Sequence, residues 1–152
     1  MKPRTRARAI ALQVLYETDL SEHLPGDVLR MRLEETTLPL DLAEFARVII
    51  FGVHPLREHL DRVIEKYAPE WPLDQIAAID RNILRMACWE FAVSRDTPVK
   101  VAINEAVELA KLFGSDSTAR FVNGVLGTLV DHEHEIASIL KNEIPQETNL
   151  ES

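Results

Sequence analysis

Between Asp41 and Tyr67, Phe45, Val48, Ile49, Val53, Leu56, Leu60, Val63 and Ile64 recur at helical spacing. Such spacing lays an apolar stripe along one side of an α-helix, and the stripe must be buried against other helices. Elsewhere no segment keeps up the two-residue alternation of a half-buried strand, so the expected class is all-α with six or seven helices. Pro55 interrupts the long helix. It lacks an amide donor and clashes with the carbonyl of Phe51, which predicts a kink near Gly52 or a division into two helices.

The other segments read in the same way. Pro3 suits the start of a first helix running to about Asp19, with Ala7, Ala11, Val14 and Leu15 on one face. Pro25-Gly26-Asp27 breaks the chain, and Asp27 is placed to cap a short helix through about Glu35. Pro69, Trp71 and Pro72 form a short, bulky corner between packed bundles. A single helix is predicted over 73–93, with Asp74, Arg81 and Arg85 on a face apart from its apolar residues. Pro98 falls in the first turn of a helix ending at Gly114, and Asp116 or Ser117 caps a last helix reaching about Leu140. Gly124 and Gly127 are expected to let another helix approach closely. The segment 141–152 reads as an acidic tail, expected to be disordered.

A formal charge of -8 argues against nucleic acid until its distribution is considered. Lys2, Arg4, Arg6 and Arg8 are the charged residues of the first sixteen, whereas residues 131–152 hold six acids against Lys141. With a Debye length of roughly 8 Å at physiological salt, a phosphate near the N-terminus feels the local cations most. A solvated basic tail explains the same charges. The longest apolar run, Val48 to Val53, is too short to cross a bilayer, so a cytoplasmic protein without a membrane partner is expected. Cys88 is the only cysteine, which leaves no intrachain disulfide and no thiolate cluster for zinc, and it reads as a buried small hydrophobe. His132 and His134 are two apart and point to nearly opposite sides of a helix, against metal binding. Glu105 and Glu108 are helix neighbours without a histidine, cysteine or serine close by in sequence. Neither a cofactor nor catalysis is expected.

Four blocks carry a more specific signal: Arg4-Thr5-Arg6-Ala7-Arg8 followed by Ala11-Leu12-Gln13-Val14-Leu15-Tyr16; Asp80-Arg81-Asn82-Ile83-Leu84-Arg85-Met86-Ala87; Val101-Ala102-Ile103-Asn104-Glu105-Ala106-Val107-Glu108-Leu109-Ala110-Lys111; and Phe121-Val122-Asn123-Gly124-Val125-Leu126. In this order and at these separations the chain resembles the NusB family. The resemblance implies two packed three-helix bundles, here about 3–68 and 73–140, within one domain over 1–140. It also implies pairing with NusE, a small-subunit ribosomal protein, recognition of boxA-type single-stranded RNA in nascent ribosomal RNA transcripts, and entry into an RNA polymerase antitermination complex. The chain departs from the family in alternating its arginines with Thr5 and Ala7, in Ser117 where relatives commonly carry an acid, and in its tail.

On that basis the RNA-binding residues are Lys2, Arg4, Arg6, Arg8, Lys111, Arg120 and Phe121. The cations would meet phosphates, and Phe121 beside Arg120 would meet an unstacked base. Taken alone, Phe121 reads as a core residue and Lys111 as a solvated helix end. The partner-binding residues are Tyr16, Asp80, Arg81 and Arg85, although an internal salt bridge explains Arg85 equally well. Two rivals remain open. Some ribosomal RNA cytosine methyltransferases carry a similar domain, but these 152 residues show no glycine-rich strand-to-helix turn and no second cysteine. The other is a protein-interaction or homodimerising module without RNA binding.

Overall fold

Proline opens two of the helices. Pro3 stands in the first turn of α1 (Pro3–Leu20) and Pro25 in that of α2 (Pro25–Glu35), where a missing amide costs nothing because the first amides of a helix have no internal partner. The second helix therefore begins at the proline, and Asp27 lies inside its first turn rather than capping it. The computed structural model describes residues 1–143, and all its regular structure there is helical. The stretch 144–152, most of the expected tail, lies outside the described residues, while 141–143 complete the last helix.

The long helix α3 (Leu40–Tyr67) passes through Pro55 undivided. Pro55 and Phe51 both face solvent, so water can satisfy the carbonyl that the proline leaves free. On the inner side Val53, Leu56 and Leu60 are buried, and each such side chain contributes about 1.5–3 kcal/mol, enough to hold the helix together across the break. Gly52 serves a neighbour instead of a kink. A Cβ there would stand 2.2 Å from Trp89 Cζ2, so only glycine leaves room for the indole.

The segment predicted as one helix over 73–93 is three elements. A 3₁₀ turn at Leu73–Gln75 precedes α4 (Ala78–Trp89), which runs into a π turn at Glu90–Ser94. Ile76 and Ile79 pack on the core from either side of the extended link at Ala77, so the apolar period continues across a break it does not reveal. The π turn closes with the Arg95 amide donating to the Glu90 carbonyl at 2.9 Å, with Arg95 left-handed at φ 59°.

Pro98 precedes α5 (Val99–Phe113), and Gly114 follows it. Ser115, rather than Asp116 or Ser117, caps α6 (Asp116–Val130), accepting the Thr118 amide at 3.2 Å. The single last helix expected to reach Leu140 is divided at Asp131–His132, and α7 (Glu133–Glu143) follows. The division brings Ile136 and Leu140, both fully buried, into the core.

Helices α1, α2 and α3 pack together, as do α4, α5 and α6, while α1 and α3 both also pack on α4. The two three-helix groups thus share one apolar core from Ala7 to Leu140, and α7 lies against the π turn. Cys88 is fully buried in that core, and desolvation pushes its thiol up to about 12.

Candidate nucleic-acid interface

Helix formation from Pro3 onward sorts the four N-terminal cations. Lys2, Arg4 and Arg6 are exposed, but Arg8 is buried. The Arg8 Nε lies 3.0 Å from Glu90 Oε1 and its Nη1 3.4 Å from Glu105 Oε1, while Thr5 Oγ1 donates to Glu105 Oε2 at 2.9 Å. Arg8, expected at the RNA, is instead a structural cation joining α1 to the π turn and α5. Arg4 and Arg8 share a helix face, and both stack over Phe45, at 4.6 and 4.9 Å from the ring centroid. Arg6 points elsewhere and, like Lys2, has no ion-pair partner among the described residues.

Lys2 borders a cleft of about 510 Å³ between the start of α1 and α5, lined also by Asn104, Glu105 and Glu108. Glu105 is occupied by Thr5 and Arg8. The Asn104 side chain is exposed on the same cleft, with an amide able to donate to and accept from a base edge.

On α6, Arg120 is exposed and Phe121 half-buried. Phe121 meets Trp71 edge-on, with centroids 6.2 Å apart and planes at 80°. The two rings share a cleft of about 360 Å³ with Gln75, Ile76 and Asp80. Trp71, read from sequence only as a corner residue, therefore belongs to the aromatic surface; its position two residues past Pro69 gave no hint of the contact. Arg120, Asn123, Gly124 and Gly127 lie at helical spacing and are all exposed. A Cβ on either glycine would meet nothing within 4 Å, so no helix of the described residues packs there, contrary to expectation. Lys111 is exposed in the last turn of α5.

The residues assigned to a protein partner divide. Tyr16 is exposed and Asp80 half-buried, without an ion-pair partner among the described residues. Burial raises the Asp80 carboxyl above its ordinary range. Arg85, expected on an exposed polar face, is buried with its Nη2 2.6 Å from Asp61 Oδ2 and its Nη1 3.4 Å from Asp19 Oδ1. Arg81 Nη2 reaches Asp19 Oδ2 at 2.8 Å, where Asn82 Nδ2 also donates at 3.2 Å. Burial alone would raise the Asp19 carboxyl, but the Arg81 hydrogen bond and the Arg85 and Arg81 charges bring it below the usual range. These arginines tie α4 to α1 and α3, leaving Tyr16 and Asp80 as the available groups.

A model of the NusB family matches residues 5–131. The chain belongs to the NusB family. A transcription antitermination protein NusB from Roseiflexus castenholzii is 50% identical over 134 residues, which cover 87% of this chain and 94% of the relative. Its counterpart in Dehalococcoides mccartyi strain CBDB1 is 48% identical over 126 residues, 83% of this chain and 88% of the relative. The T. maritima NusB structure superposes with a TM-score of 0.74 at 31% identity, covering 90% of this chain and 92% of that one. A crystal structure of the antitermination factors NusB and NusE in complex with dsRNA gives a TM-score of 0.76 at 29% identity, covering 84% and 95%.

Proposed function

We propose that this NusB-family protein is a non-catalytic cytoplasmic subunit of an RNA polymerase antitermination complex, binding boxA-type RNA in nascent ribosomal RNA together with a NusE-type ribosomal protein. One observation carries the RNA part. In a chain of net charge -8, Arg8, Arg30, Arg32, Arg47, Arg62, Arg81 and Arg85 each lie within 4.0 Å of a carboxylate, whereas Lys2, Arg6, Lys111 and Arg120 belong, with Lys66, Arg95, Lys100 and Lys141, to the cations exposed without an ion pair among the described residues. Unpaired cations release the counterions of bound phosphates without first breaking an internal salt bridge. Arg4, exposed above Phe45, joins them at the cost of its stacking contact.

The Phe121 edge beside Trp71 offers an unpaired base a stacking surface, which duplex RNA cannot use without opening. The partner reading rests on Tyr16 and Asp80, with Arg81 as a partly exposed neighbour already engaged by Asp19. Because Asp80 and Phe121 line the same cleft, RNA and partner would meet along one edge, and each would bury the other's contact.

Titration of boxA-type, scrambled and double-stranded RNA into the purified protein, with and without the NusE-type protein, tests this reading. Preferential binding of single-stranded boxA-type RNA, strengthened by the partner, is expected. Equal binding of all three RNAs, or no effect of the partner, would refute it.

A further inference from the structure

A second group of free cations lies on α7 and at the end of the π turn, and none of them is among the RNA-binding residues assigned above. His134, Ala137, Ser138 and Lys141 fall at i, i+3, i+4 and i+7 on α7, and so share one face of that helix. Opposite them, across a cleft of about 580 Å³, stands Arg95 at the end of the π turn. The walls between are small and apolar, from Val93 and Ala137, and among the described residues no carboxylate lines the cleft. Arg95 and Lys141 are exposed, and neither has an ion-pair partner among the described residues.

The arrangement is fixed by the backbone. Arg95 adopts its left-handed conformation where the π turn closes on Glu90, so its side chain is presented from a pinned backbone position and not from a free loop. The acids nearest His134 in sequence are directed elsewhere or lie off this face: Glu135 Oε1 is 3.4 Å from His132 Nδ1, and Glu133 does not line the cleft. Asp96, beside Arg95 in sequence, accepts from the Ser94 hydroxyl at 3.3 Å and lines a different cleft, so the charged side chains of the described residues that line this one are cationic, and the Ser138 hydroxyl adds a neutral donor to them.

We propose that this cleft between the π turn and α7 is a phosphate-binding site, and that it takes the backbone of an RNA strand extending beyond the recognised segment. The RNA source rests on the reading given under Proposed function; the phosphate chemistry does not. Arginine can hold two phosphate oxygens at once, lysine supplies a point charge, and neither reads sequence, so the contact is to backbone alone.

The test uses Arg95→Asn, which suits a left-handed position, combined with Lys141→Gln. Inorganic phosphate titrated into the isotope-labelled parent should shift the amide resonances of Arg95, Ser138 and Lys141, and the double variant should lose that response. With RNA, a short boxA-type strand should bind parent and variant alike. The same strand extended by a uridine run should show a log affinity against log salt slope shallower by about 1.4 in the variant, 0.7 for each lost contact. A phosphate response with no change for the extended RNA would overturn the RNA source, leaving a site for free phosphate. No phosphate response and an unchanged slope would overturn the site itself. If the parent binds neither RNA, the RNA reading of the protein fails, and the phosphate titration still decides the cleft.

Discussion

The Arg8 guanidinium stands 3.0 Å from the Glu90 carboxylate, with the two side chains only 3% and 5% exposed. Burial pushes the Glu90 carboxyl above its ordinary range, and Arg8 counters part of that push. Removing one member of such a pair leaves the other buried without compensation, so Arg8→Ala should destabilise the fold by about 3–5 kcal/mol in denaturant titration. Arg6→Ala, on the exposed side of the same helix, should change stability by less than about 0.5 kcal/mol. If Arg8→Ala left stability intact and weakened RNA binding, Arg8 would be a nucleic-acid contact after all.

That contrast marks how far the sequence could be read. Alternation of Arg4, Arg6 and Arg8 on a helix says that Arg6 differs from the other two, but which face is buried depends on where Glu90 and Glu105 arrive from the π turn and α5. Helix class and most helix starts were legible because periodicity and proline placement are local. The breaks at Ala77 and at Asp131–His132 were not, since the residues on either side continue to face the core and the apolar period hides the change of direction. Phe121 could be picked out from its block, whereas its partner Trp71 became visible only when the corner folded against α6.

Gly52 should tolerate no side chain. Its Cβ would overlap Trp89, so Gly52→Ala is expected to cost about 1–3 kcal/mol from overpacking, despite alanine's better helix propensity. A rise in thermal midpoint would mean that the indole can move aside freely.

Gly124 and Gly127 should behave in the opposite sense. Both sit inside α6 with open space beside them, and exchanging glycine for alanine in a helix is worth up to about 1 kcal/mol each. The Gly124→Ala/Gly127→Ala variant should therefore melt higher than the parent. Lower stability would show that another segment packs on this face.

Asp19 carries a pH dependence of defined sign. Its carboxyl, held low by Arg81 and Arg85 against the opposing effect of burial, contributes stability above its unfolded-state range. That contribution is lost as pH falls through the lower folded value. In urea titrations from neutral pH into the acid range, Asp19→Asn should be less stable at neutrality and lose less on acidification than the parent. Parallel profiles would remove Asp19 from the acid response.

The account's central claim is that the exposed, unpaired cations bind RNA phosphate, and the salt dependence of affinity measures that directly. With the NusE-type partner and boxA-type RNA present, a Lys2→Ala/Arg6→Ala/Arg120→Ala variant should show a log affinity against log salt slope shallower by about 2, at 0.7 per contact on a single strand. Its thermal stability should stay near that of the parent, since none of the three makes an ion pair among the described residues. An unchanged slope and unchanged affinity in a folded variant would contradict the claim.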